Sequence, residues 1–192
     1  MTQSNQSRLQ RAPDFTGGRL ETFNDVWLRH GLPGFALALL LLLSFQDQLL
    51  RYLWVPKELL PTYLLVGVGV GLLLSLYAWR AEGRLGWRQF GWVLYLGALS
   101  FWEEWIFRLA LPEIGQSFGI NHLVAVVVSN LLFGAVHYFT LRWRWQWCLG
   151  AAVASLGLSR HFEVHENIWL ISVFHWIGTL INTPRLPANS RS

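Results

Sequence analysis

The sequence predicts an all-α fold, a polytopic membrane bundle of about six transmembrane helices with short interfacial helices between them. Three observations predict it. Of the 192 residues, 53% are hydrophobic and only 14% charged, against roughly 25% charged in an ordinary soluble domain. The apolar residues come in long runs rather than in the single stripes of amphipathic helices. The basic residues gather between these runs, where Lys and Arg orient membrane proteins.

Taken in order, residues 1–31 are polar and contain no apolar stretch of the signal-peptide kind. They are expected to form a cytoplasmic tail ending in a short interfacial helix near Phe23 to Leu28. The bundle is expected over 32–183, in runs near Leu32 to Phe45, Thr62 to Trp79, Phe90 to Leu111, Ile120 to Phe139, Trp145 to Leu158 and Asn167 to Asn182. The first, fifth and sixth fall short of the ~20 residues a spanning helix needs and would span through local thinning or cover by neighbours. "QDQLLRYLWVPKELLP" is amphipathic and is expected at the interface. "CLGAAVASLG" offers small residues for close helix packing. Residues 184–192 form a polar C-terminal tail. With six spans and the N-terminus inside, Arg51, Lys57 and Arg160 of the 15 Lys and Arg fall outside, Arg108 lies within a span and the other eleven fall inside. That asymmetry predicts a multi-pass protein with both termini cytoplasmic, expected in a prokaryotic inner (plasma) membrane.

The net charge of +4 is thus assigned to topology and lipid headgroups, with no nucleic-acid partner. The single cysteine, Cys148, excludes an internal disulfide framework or cysteine metal site. "LRWRWQW" reads as an interfacial aromatic belt. "RHFEVHEN", with His161, Glu163 and His165, is expected in an outer loop, without a functional metal.

Ionisable residues inside spans cost roughly 3 kcal/mol each on insertion scales and usually face the protein interior. Here Glu103, Glu104 and Arg108 lie in the third span, His137 near the end of the fourth, and His175 in the sixth. Glu104 and Arg108, four apart, stack on one helix face and can form an ion pair. Glu103 points about 100° away, a lone buried carboxylate suited to general-base work. Asn130, Phe133 and His137 share one face of their helix, and Thr179 and Asn182 share the face of His175. A lone buried His is also a common structural residue, and a Glu–Arg pair a common clamp. The separation of Glu103 from His137 decides between the readings.

"EEWIFR" fits E-E-x-x-x-R, "FGAVH" fits F-x-x-x-H about thirty residues later, and a His follows in a later apolar span. In these features the sequence resembles the CPBP family of intramembrane proteases, which includes the type II CAAX prenyl endopeptidases and the bacterial Abi group. The resemblance covers 90–182. It implies that Glu103 activates water, that His137 positions the water, and that His175 stabilises the oxyanion, with Glu104, Arg108 and Phe133 in support. Where the family usually has Asn or Asp four residues after the last His, this sequence has Thr179, whose hydroxyl can donate one hydrogen bond. Asn182 lies a turn further on. No cofactor is favoured. Zinc held by Glu103, His137 and His175 is the alternative, since the ligand types suit it.

The resemblance therefore implies an intramembrane endopeptidase acting on a membrane-associated peptide or protein, lipidated or not, in the lipid bilayer, with activity weakened by Thr179. The alternatives are a non-catalytic scaffold or binding partner, motivated by Thr179, and a small proton-coupled transporter, since intramembrane carboxylates and histidines also carry protons.

Overall fold

The computed structural model describes residues 9–11, 20, 22–55, 57–83, 86–183 and 187. Most of the two expected tails lies outside the described residues, as do Arg8, Arg19, Arg84, Arg185 and Arg191 of the topology count.

Helix α1 runs Phe23–Ser44. A capping box opens it: Thr22 and Asp25 exchange backbone-to-side-chain hydrogen bonds of 3.1 Å. The separate interfacial helix and short first span expected from hydropathy are one continuous helix, bridged by a π-helical turn at Trp27–Gly31. An apolar-run reading stops at polar Arg29 and His30. The helix continues because both side chains find partners on a neighbouring helix.

A short helix, α2 (Gln46–Leu49), and a 3-10 turn (Leu50–Leu53) follow and bury Leu49 in the core. Helix α3 (Leu60–Glu82) carries Pro at its start and is capped by Gly83 at φ 73°. Helix α4 spans 87–117 without a break, as Trp87–Glu104, a π-helical segment Trp105–Ala110, and Leu111–Ser117. Helix α5 (His122–Thr140) is N-capped by the Asn121 side chain. Helix α6 (Trp145–His165) is also longer than its apolar run. The expected "RHFEVHEN" loop is helical through His165, held by one-turn contacts. Arg160 donates to Glu163 at 3.2 Å, and the rings of His161 and His165 lie 4.4 Å apart. Helix α7 (Ile168–Asn182) is N-capped by Asn167.

The broadest packing pairs α5 with α6 and α4 with α7, while α1 crosses α4 and α3 leans on α4 and α7. One apolar core surrounds the π segment of α4, with Trp105, Ile106, Leu109, Phe133, Ile168 and Ile171. A second joins α3, α4 and α7 through Ala78, Val93, Leu96 and Leu180. Between α5 and α6 the buried Asn130 donates to Ser159 Oγ at 2.9 Å and accepts from Ser155, so its amide is satisfied inside the bundle.

Helices α1, α3 (over Leu60–Ala81) and α5 are long and apolar enough to cross a membrane. Only 6% of the α3 span is buried against protein, and Leu64, Leu65, Val68, Leu72 and Leu73 project outward. Such a surface would not persist in water and is the natural face of a helix in lipid. The molecule is an all-α membrane helix bundle, and no strand occurs among the described residues beyond one isolated bridge.

Close approach at Gly134 sets the α5–α6 spacing. A Cβ there would lie 2.6 Å from the Cys148 carbonyl oxygen and 3.1 Å from the Ala152 Cβ, whereas at Gly150 it would meet nothing within 4 Å. Gly134→Ala is therefore expected to destabilise the bundle by about 1–3 kcal/mol through overpacking. Gly150→Ala should leave the melting temperature in detergent unchanged or raised. Equal melting temperatures for the two variants would overturn this account of the interface.

Candidate active site

Glu103 and Glu104 sit where α4 changes from α- to π-helical geometry, directly before Trp105–Ala110, and Arg108 lies within that segment. Such segments are frequent at functional sites. Glu104 and Arg108 form the expected i,i+4 pair, with Arg108 Nε 3.1 Å from Glu104 Oε2 and both side chains fully buried. It is a charge contact without hydrogen-bond alignment, because neither atom has a hydrogen-bond partner. The guanidinium instead lies over the Phe133 ring, its Cζ 4.1 Å from the centroid, a cation–π contact that partly replaces lost solvation.

Glu104 has a second partner. His175 Nδ1 lies 2.6 Å from Glu104 Oε1. The carboxylate accepts, so Nδ1 carries the proton and Nε2 faces away, 3.5 Å from Glu103 Oε2. His137 is fixed in the same manner. Its Nδ1 donates to the Phe133 carbonyl at 2.8 Å, and Nε2 faces Glu103 Oε1 at 3.5 Å. Two imidazoles with assigned tautomers thus point their Nε2 atoms at the two oxygens of one carboxylate. At 3.5 Å these contacts exceed a direct N–H···O bond, and a water that touches both partners sits beside the pair rather than between them.

Besides His137 and His175, Glu103 has a closer partner that the sequence reading does not include, His30 of α1. Its Nε2 lies 2.9 Å from Glu103 Oε1, and its Nδ1 lies 2.8 Å from Thr140 Oγ1. The Thr140 hydroxyl donates to the Val136 carbonyl at 2.6 Å, so it must accept from His30 Nδ1. The contact between His30 Nε2 and Glu103 therefore holds one proton, on the imidazole or on the carboxyl. The neighbouring Arg29 donates to the Phe139 and Thr140 carbonyls at 3.2 Å. It caps the C-terminus of α5 and anchors the π turn that carries His30.

The site is almost closed. Glu103, His30 and His137 are each about 5% exposed or less, while the His175 side chain retains 13%. Of the residues singled out from sequence, the structure brings together Glu103, Glu104, Arg108, Phe133, His137 and His175. Thr179 is half-buried one turn beyond His175, and its hydroxyl makes no hydrogen bond to this cluster among the described residues. Asn182 is exposed and donates to the Gly178 carbonyl at 3.0 Å. Among the described residues, the three-donor group able to hold a metal ion is His30, Glu103 and His137, whose ligand atoms lie within 4.8 Å of one another. His30 thus stands where the zinc alternative placed His175. No sequence signal marks His30: it lies 73 residues before Glu103, in a stretch that reads as interfacial.

The family model for type II CAAX prenyl endopeptidase Rce1-like proteins matches residues 85–181, about half of the chain. The chain belongs to this family. At the family level it is a CAAX-type membrane endopeptidase. The matched span contains Glu103, Glu104, Arg108, Phe133, His137, His175 and Thr179, and leaves out His30 and Asn182. No curated protein and no solved structure matches the chain.

Removing Glu104 would strand the buried guanidinium of Arg108. Glu104→Ala is expected to cost about 3–5 kcal/mol, and Glu104→Ala with Arg108→Met to cost less than Glu104→Ala alone. A double-mutant cycle on thermal unfolding in detergent measures the coupling, and additive losses would contradict the pair.

Proposed function

We propose that the chain hydrolyses a peptide bond of a membrane-associated substrate, using water activated by Glu103 and His137. The observation that supports this most directly is the convergence of His137 Nε2 and His175 Nε2, each 3.5 Å from a different Glu103 oxygen, with both Nδ1 atoms engaged elsewhere. Water bound between Glu103 and the His137 lone pair gives up a proton to the carboxylate, and the resulting hydroxide attacks the scissile carbonyl. The proton passes from Glu103 to the leaving amine. His175, paired to Glu104 through Nδ1, faces the position where the oxyanion develops and stabilises it with Nε2 protonated as well, as an imidazolium, and Thr179 would offer one further donor. A dry cavity strengthens each of these interactions. His30 holds Glu103 Oε1 and fixes the direction in which the carboxylate acts.

The substrate we propose is a CAAX-type C-terminal tail carrying its lipid. The chain would sit in a prokaryotic inner membrane as a six-span protein with both termini inside, its first span being the continuous helix Phe23–Ser44. This reading needs no metal. A second reading is favoured by the donor group His30, Glu103 and His137, whose two imidazoles and one carboxylate suit zinc. Elemental analysis of purified protein distinguishes the two. Stoichiometric zinc lost with His30→Ala supports the metal site, and activity in metal-free protein supports the first reading.

Glu103→Gln and His137→Ala are expected to abolish cleavage of a farnesylated CAAX peptide in proteoliposomes while leaving the protein folded. Wild-type turnover in either variant would falsify the mechanism. Thr179→Asn is expected to raise the rate by on the order of tenfold or more, since one oxyanion donor is worth about a hundredfold. No cleavage by either the wild type or Thr179→Asn would favour a scaffold role.

A further inference from the structure

Residues 9–11 lie antiparallel against 142–144, the connection from α5 to α6. The Arg11 N–H donates to the Arg142 carbonyl at 2.8 Å and the Arg144 N–H to the Leu9 carbonyl at 2.9 Å, with Gln10 and Trp143 bridged between them. Arg144 Nε adds a contact to the Gln10 carbonyl at 3.2 Å. The Leu9 side chain is 2% exposed, so the segment is seated and does not merely brush the surface. The edge that it pairs with adjoins the reacting groups. The Trp143 ring lies 4.5 Å from the His137 ring, and the Trp143 N–H donates to the His137 carbonyl at 3.3 Å. Arg142, at φ 57°, turns the chain out of α5 and sets this edge beside the site.

We propose that 142–144 is the edge along which a substrate tail adds as an extended strand, and that 9–11 holds this place in the free protein. The identity of the occupant rests on the peptidase reading above. An extended peptide exposes its carbonyls to attack, and β-addition grips backbone whatever the side chains. The seat of Leu9 takes an apolar side chain. Arg144, itself exposed, puts a cation beside the edge for the free carboxylate of a C-terminal tail. A bridge of three residues is marginal on its own. Residues 9–11 hold it because tethering gives them a high effective concentration, and a substrate concentrated in the same membrane can displace them.

The probe is a fluorescent, farnesylated peptide ending in a free CAAX carboxylate, and its binding to the full-length Glu103→Gln protein in nanodiscs is read by anisotropy. Adding Leu9→Asp and Arg11→Pro frees the edge and is expected to tighten binding about fivefold, the value of one backbone hydrogen bond. In that freed background Arg144→Pro is expected to weaken binding about fivefold. Arg144 already sits at φ −66°, the value proline imposes, so the change deletes one N–H without moving the backbone. Arg144→Ala separates the side-chain contribution. Hydrogen exchange gives a second readout: the Arg144 amide should lose protection in the freed protein and regain it with peptide. Binding no tighter in the freed protein, binding indifferent to Arg144→Pro, or no binding at all overturns the proposal. Turnover of the same peptide by wild type is measured separately. Edge-dependent binding without turnover sinks the peptidase reading and leaves the edge, while turnover with edge-independent binding does the reverse.

Discussion

The structure is organised by the cost of keeping Glu103, Glu104 and Arg108 inside an apolar helix. Charges in such surroundings must be offset by an opposite charge, a hydrogen bond or a polarisable neighbour. One helix cannot do this for three of them. Glu104 and Arg108 offset each other along α4, but Arg108 also lies against Phe133 of α5, Glu104 against His175 of α7, and Glu103 against His30 of α1. Four helices are therefore drawn to one point by the same requirement, and the core around the π segment of α4 closes over it.

This arrangement has a chemical consequence. Each histidine that faces Glu103 is oriented by its other nitrogen: His137 by the Phe133 carbonyl, His175 by Glu104, and His30 by Thr140. Satisfying buried polar atoms and orienting reactive ones are thus the same act. The pair that reads as a clamp is what aims His175. The Thr140 hydroxyl, bonded back to its own helix, sets the tautomer of His30.

Much of this was legible in the residues. The spacing of Glu104 and Arg108 predicts their pair, the offset of one residue predicts that Glu103 faces elsewhere, and Asn130, Phe133 and His137 are buried on one face as their spacing requires. The misread helix bounds share one cause. Hydropathy ends a helix at a polar residue, whereas the chain ends it where backbone hydrogen bonds end. Thus α1 begins well before its apolar run, and α6 continues through His161, Glu163 and His165.

Local spacing and composition by themselves determined that this is an all-α membrane bundle and which ionisable residues of α4, α5 and α7 lie inside it, because helical periodicity is a property of one segment. Only the tertiary structure decided that His30 completes the group, that His175 contacts Glu104 more closely than Glu103, and that residues 9–11 pair beside His137. Each of these joins positions more than seventy residues apart. No periodicity spans such a distance, and the contacts exist only because buried charges in a low-dielectric interior select the packing that satisfies them.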